Sequence, residues 1–107
     1  MNDKLVAMPT RFPFAEKVVK LTDGSEWRMR ELSVGENDAC ADGARKPDGD
    51  IDGRAMMRLM IAKSAVEPTL TLDELLAMPN RVYIKFAEAV NELNSPDYDE
   101  ETEAKND

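Results

Sequence analysis

A chain of 107 residues, 42% hydrophobic and 34% charged, has room for one modest core and not for two. Its formal net charge of −8 argues against nucleic acid or an anionic membrane as a partner, and no apolar run is long enough for a signal peptide or a membrane span. With no histidine and a single cysteine, Cys40, it offers no Cys–His pair, intrachain disulfide or multi-cysteine zinc site, a composition expected of a cytoplasmic protein.

Residues 1–16 carry Pro9 and Pro13 and read as an extended arm, with Phe12 and Phe14 alternating so as to pin it to a core. The stretch "KVVKLTDGSEWRMREL" predicts a β-hairpin: Val19 and Leu21 alternate before the turn residues Thr22–Ser25, and Trp27 and Met29 after them. A lone hairpin is marginal in water, so its apolar face needs helices or another chain. Trp27 is the largest packing group and reads as a core anchor against the terminal helix.

"SVGE" forms a capping box from Ser33 to Glu36 and predicts a helix start. The stretch to Arg45 is poor in large apolar groups, Gly43 weakens it, and Cys40 reads as a small buried hydrophobe. Next, "KPDGDIDG" places Asp48, Asp50 and Asp52 before Gly53, the first half of a calcium loop. Counted from Asp48, position 12 is Leu59 and position 9 is Met56, neither with an oxygen to give. The segment therefore reads as a turn in which Asp52 caps the next helix, and no metal site is expected.

That helix, "RAMMRLMIAKSAV", is apolar nearly all round, whereas a helix in so small a protein buries one stripe of roughly 100°. Met57, Met60 and Ile61 take the core side, and Met56 and Leu59 are left at its edge. The surplus is expected against another chain, which makes Met56, Leu59 and Met60 the candidate partner-binding residues. Replacing Met56 and Leu59 with Lys is accordingly expected to spare the fold.

Thr71 and Glu74 form a second capping box over "TLDELLAM", with Leu72, Leu75 and Leu76 expected to point inward. After Pro79, "NRVYIKFAEAVNEL" sets Val82, Tyr83, Phe86, Ala87, Val90 and Leu93 at helical spacing. The last 13 residues hold a net −5, leaving −3 for residues 1–94, and read as a disordered acidic tail. The expected fold class is α+β: an N-terminal β-hairpin packed on a small bundle of three to four helices. Its parts are an arm over 1–16, one domain over 17–94 and the tail over 95–107. No base–nucleophile pair and no phosphate loop occurs, so no catalytic residue and no cofactor are expected, and the chain reads as a non-enzyme.

The order of parts, from the hairpin ending "WRMREL" through "SVGE" to "LTLDELLAMPNRVYIKFAEAVNELN", resembles the tail assembly chaperones of long-tailed bacteriophages. The resemblance spans about residues 17–94 and rests mostly on Leu32 and Val34 and on Leu70, Leu72, Leu75 and Leu76. It implies a protein of the host cytoplasm that binds the tape measure protein and keeps it soluble while tube subunits polymerise. The tail tube protein and a second copy of the chain are further candidate partners. It also implies that the tail from Ser95 connects to a second domain where a frameshifted longer product is made. The alternative reading is a small acidic adaptor or inhibitor that masks a basic partner through the acidic tail with Tyr98.

Overall fold

The computed structural model describes residues 11–96. Among them a three-stranded antiparallel sheet and four helices make an α+β fold. The expected arm up to residue 10 and the acidic tail beyond residue 96 lie outside the described residues.

Strands β1 (Glu16–Lys20) and β2 (Glu26–Arg30) pair with Val19 opposite Trp27 and Lys17 opposite Met29. The two-residue period of a strand then puts Val19 and Met29 on the buried face and Val18 and Arg28 on the outer one. In the connecting turn Gly24 adopts φ of 91°, and its N–H donates to the Leu21 carbonyl at 3.0 Å. Asp23 closes the same turn by accepting the Ser25 N–H at 2.8 Å.

Met29 is completely buried, but Trp27 is only half-buried. Its ring meets Phe86 edge-on, centroids 5.5 Å apart, and its indole N–H donates to Ser25 Oγ at 3.1 Å. Trp27 does anchor the hairpin to the terminal helix, yet one side of it stays open to solvent. The phenylalanine pins expected of the arm divide. Phe14 lies under the Arg30 guanidinium, 5.1 Å from the ring centroid, whereas Phe12 is 81% exposed and pins nothing.

Helix α1 (Val34–Gly43) starts at the Ser33–Glu36 capping box, with Ser33 Oγ accepting the Glu36 N–H at 3.1 Å and Glu36 accepting the Ser33 N–H at 3.0 Å. Cys40 is its one buried residue. Arg30 compensates for the missing apolar stripe by donating to both Glu36 oxygens, at 2.9 and 2.6 Å, which ties β2 to the helix start.

Helix α2 (Gly53–Ser64) is capped by Asp52, which accepts from the Arg54 and Ala55 N–H groups at 3.0 and 3.2 Å. The sequence pattern carries this helix on to Val66; the structure ends it at Ser64. Residues Ala65–Glu67 instead form β3, antiparallel to β2, with Ala65 opposite Met29 and Glu67 opposite Arg28. Pro68 disfavours helical backbone at Glu67, Val66 is β-branched, and the free edge of β2 supplies a partner. Helix α3 (Leu72–Ala77) starts at the Thr71–Glu74 box, and α4 (Asn80–Leu93) buries Phe86, Ala89, Val90 and Leu93. The core joins Val19 and Met29 of the sheet to Ile61 of α2, Leu75 of α3 and the buried face of α4. Each such side chain contributes roughly 1.5–3 kcal/mol relative to exposure.

Candidate functional site

Asp48, Asp50 and Asp52 do not converge on a point. Asp48 Oδ1 accepts the Asp50 N–H at 2.9 Å, Asp52 caps α2, and Gly49 takes φ of 95° to let the loop reverse. Among the described residues no group of three or more acidic, cysteine or histidine side chains is arranged to hold a metal ion. The Cys40 thiol is buried, and burial raises its pKa, so it stays protonated and is a packing group rather than a nucleophile.

Met56, Leu59 and Met60 are all half-buried within the chain itself. Met60 packs against the main core. Leu59 reaches α1, where a Cβ added to Gly43 would sit 3.0 Å from its Cδ1. Gly43, which weakens α1 by propensity, is thus the residue that lets α2 approach. The neighbours of α2 are α1, β3, α3 and α4, and within the chain these three side chains are half-covered.

The outward-facing apolar groups lie elsewhere. Leu75 is buried as expected, but Leu72 is 41% and Leu76 64% exposed, so two of the three leucines expected to point inward face solvent. Helical geometry explains why: residues four apart lie about 40° apart around the axis, so Leu72 and Leu76 share one face. Leu75 is the one aimed at the core. Of the two other positions in "RELSVGE" that carry the family resemblance, Leu32 is buried and Val34 is 80% exposed.

Two hollows flank Met78 at the elbow between α3 and α4. One, of about 170 Å³, is lined by Arg58, Leu75, Leu76, Met78, Asn80 and Tyr83. The other, of about 350 Å³, lies between the hairpin turn and the elbow, with Leu21, Trp27, Leu70, Met78, Val82 and Phe86 as its apolar lining. Asp23, Glu74 and Arg81 supply its charges. The larger of the two is mainly apolar, is built from the elbow and the hairpin and is lined by Trp27, while the smaller is more polar and brings Leu76 and Met78 beside Arg58 and Asn80. None of this was visible as periodicity, because the lining comes from four separate stretches of sequence. The density of leucines in the short segment "TLDELLAM" was the one signal available in the sequence.

A third hollow, of about 380 Å³, lies on the outer face of the sheet and is lined by Val18, Glu26, Arg28, Glu67 and Pro68. Its charges are already engaged: Arg28 sits between Glu16 at 3.9 Å and Glu67 at 3.3 Å, and Glu26 faces Lys20 at 3.8 Å. The elbow is the better candidate for binding another molecule. Among the described residues no helix is long and apolar enough to cross a membrane. The chain matches no family model, no curated protein and no solved structure.

Proposed function

We propose that this chain is a non-enzymatic tail assembly chaperone of a long-tailed bacteriophage, binding the tape measure protein in the host cytoplasm and keeping it soluble during tube assembly. The observation that carries the reading is the elbow, where exposed Leu76, with Leu72 exposed on the same helix face, lines a hollow with Met78 and Tyr83 next to a mainly apolar one lined by Trp27 and Met78. Contiguous apolar surface on a small acidic domain suits a protein that covers a client's hydrophobic stripe while its own charge keeps the pair dissolved. Met78 adds adaptability, since an unbranched thioether repacks against differently shaped side chains.

The adaptor alternative finds less support in the folded part. Several of its acids are paired inside the chain: Glu36 to Arg30, Glu92 to Lys17, Asp42 to Arg45, and Glu16 and Glu67 to Arg28. The test is co-expression with the tape measure protein of the same phage, scoring its soluble fraction and co-purification. Soluble, co-purifying tape measure protein is the expected result; tape measure protein that precipitates equally with and without this chain overturns the proposal.

A further inference from the structure

We infer that two copies of this chain pair through the free edge of β1, antiparallel about a two-fold axis at Val18, whatever client either copy serves. With strand order β1-β2-β3, β1 has β2 on one side only. The Glu31 N–H donates to the Ala15 carbonyl and the Leu21 N–H to the Ser25 carbonyl, each at 3.0 Å, so the odd-numbered residues of this strand face β2. The alternation directs the N–H and C=O groups of Glu16, Val18 and Lys20 away from β2, and among the described residues they have no partner.

A bare edge accepts any strand, so the side chains on it must do the selecting. Glu16, Val18 and Lys20 share the outer face of the sheet, and all are exposed. Turned about an axis through Val18, that residue meets its own counterpart, and Glu16 meets the copy's Lys20 at both ends. Every edge-facing N–H and C=O is then opposite an acceptor or a donor. Other registers lose this match. Moving the axis one residue, to Lys17 or Val19, removes both charge pairs; moving it two, to Glu16 or Lys20, sets that residue against itself. The charges also keep the neighbours they have. Lys20 faces Glu26 at 3.8 Å and Glu16 faces Arg28 at 3.9 Å, so the copy's Glu16 prolongs a row of alternating sign, Glu26 then Lys20, without taking a partner away. A loose charge on the inner side of an edge strand guards against such pairing, but Lys17 is drawn back to Glu92 of α4 at 3.0 Å.

A strand of five residues makes a small interface, so the dimer is expected to have a Kd on the order of 10–100 μM. Sedimentation velocity of the full chain between about 1 μM and about 1 mM follows it directly. Glu16→Lys and Lys20→Glu each set like charges at both ends and are expected to weaken dimerisation about tenfold. Mixed in equal amounts, the two variants are expected to restore it, because a chain with two lysines then lies along a chain with two glutamates. Val18→Cys puts thiols at the axis, where the Cα separation of a hydrogen-bonded pair, about 5.5 Å, suits a disulfide. Mild oxidation is expected to give covalent dimer from Val18→Cys and far less from Thr22→Cys in the hairpin turn, while the buried Cys40 stays out of the reaction. Unchanged circular dichroism certifies each variant's fold. A chain that stays monomeric throughout the range overturns the inference. So does a dimer that neither charge change weakens, since its interface then lies elsewhere, or a mixture of the two variants that associates no better than each alone.

Discussion

Helix α2 touches α1, β3, α3 and α4, whereas α3, half its length, leans chiefly on α2. Both are rich in large apolar side chains, yet α2 keeps its surplus half-buried inside the chain and α3 turns Leu72 and Leu76 outward. The difference comes from the number of neighbours rather than from apolar content. A central helix can be apolar on several sides because several elements cover it. A peripheral helix of six residues has one covered side, and every leucine beyond that side faces water or a partner.

The sharpest way to break this comparison is to put lysines into each helix. Met56→Lys with Leu59→Lys is expected to cost about 2–4 kcal/mol, because both side chains are half-buried and Leu59 packs against Gly43 of α1. Thermal melts followed by circular dichroism should show a large fall in Tm or outright unfolding. Leu72→Lys with Leu76→Lys is expected to stay within about 0.5 kcal/mol of the parent while losing tape measure solubilisation. If the α2 pair melts like the parent and the α3 pair unfolds, the two helices have the reverse roles.

The contrast also marks where the sequence could and could not be read. The hairpin, both capping boxes and the buried stripe of α4 are local patterns, each set by residues within a few positions of one another, and Val19, Met29, Phe86, Val90 and Leu93 fall where periodicity puts them. Strand β3 was not legible. Three residues carry too little pattern, and their extended form depends on β2 being alongside. The half-burial of Met56, Leu59 and Met60 was illegible for the same reason. Met56, Leu59 and Met60 stand out on a helical wheel, but no wheel shows that Gly43 brings α1 against Leu59. Leu72 and Leu76 looked like core because leucines in a short capped helix usually are. Their exposure is a property of packing at the edge of the fold.

A middle-sized effect tests how α1, which lacks an apolar stripe, is held. The two-pronged Arg30 contact lowers the Glu36 pKa from an ordinary 4.5 to about 2, with the Ser33 N–H adding to it, against the opposing effect of partial burial. Since the folded value is depressed, the stabilisation is fully present above pH 4.5 and is lost as pH falls from there toward 2. About 1–2 kcal/mol is expected, less than the shift alone implies because the pair is partly solvated. In chemical denaturation across that pH range, Arg30→Ala should be less stable at pH 7 and show a shallower acid dependence. A parallel pair of curves for parent and variant would mean that α1 is held by something other than this ion pair.

The smallest effect concerns how completely α2 is enclosed at its far end. Ser64, its last residue, is fully buried, and its hydroxyl has no hydrogen-bond partner among the described residues. A buried hydroxyl gives up its hydration on folding, and without a partner nothing offsets that loss. Ser64→Ala removes the polar atom, leaves a void smaller than a methyl group and favours the helix slightly by propensity. The expected outcome is a stability equal to the parent or raised by up to about 1 kcal/mol, read as an unchanged or higher denaturation midpoint with an unchanged denaturant slope. A loss of about 1 kcal/mol or more would show that the hydroxyl does have a partner, such as a buried water, at the junction of α2 and β3. The same substitution at Ser25, whose hydroxyl is bonded to Asp23 at 2.6 Å and to the Trp27 indole at 3.1 Å, should do the opposite. It should destabilise the hairpin turn beside the larger of the two elbow hollows, so the sign of the two changes separates an enclosed helix end from a polar contact that shapes the candidate surface.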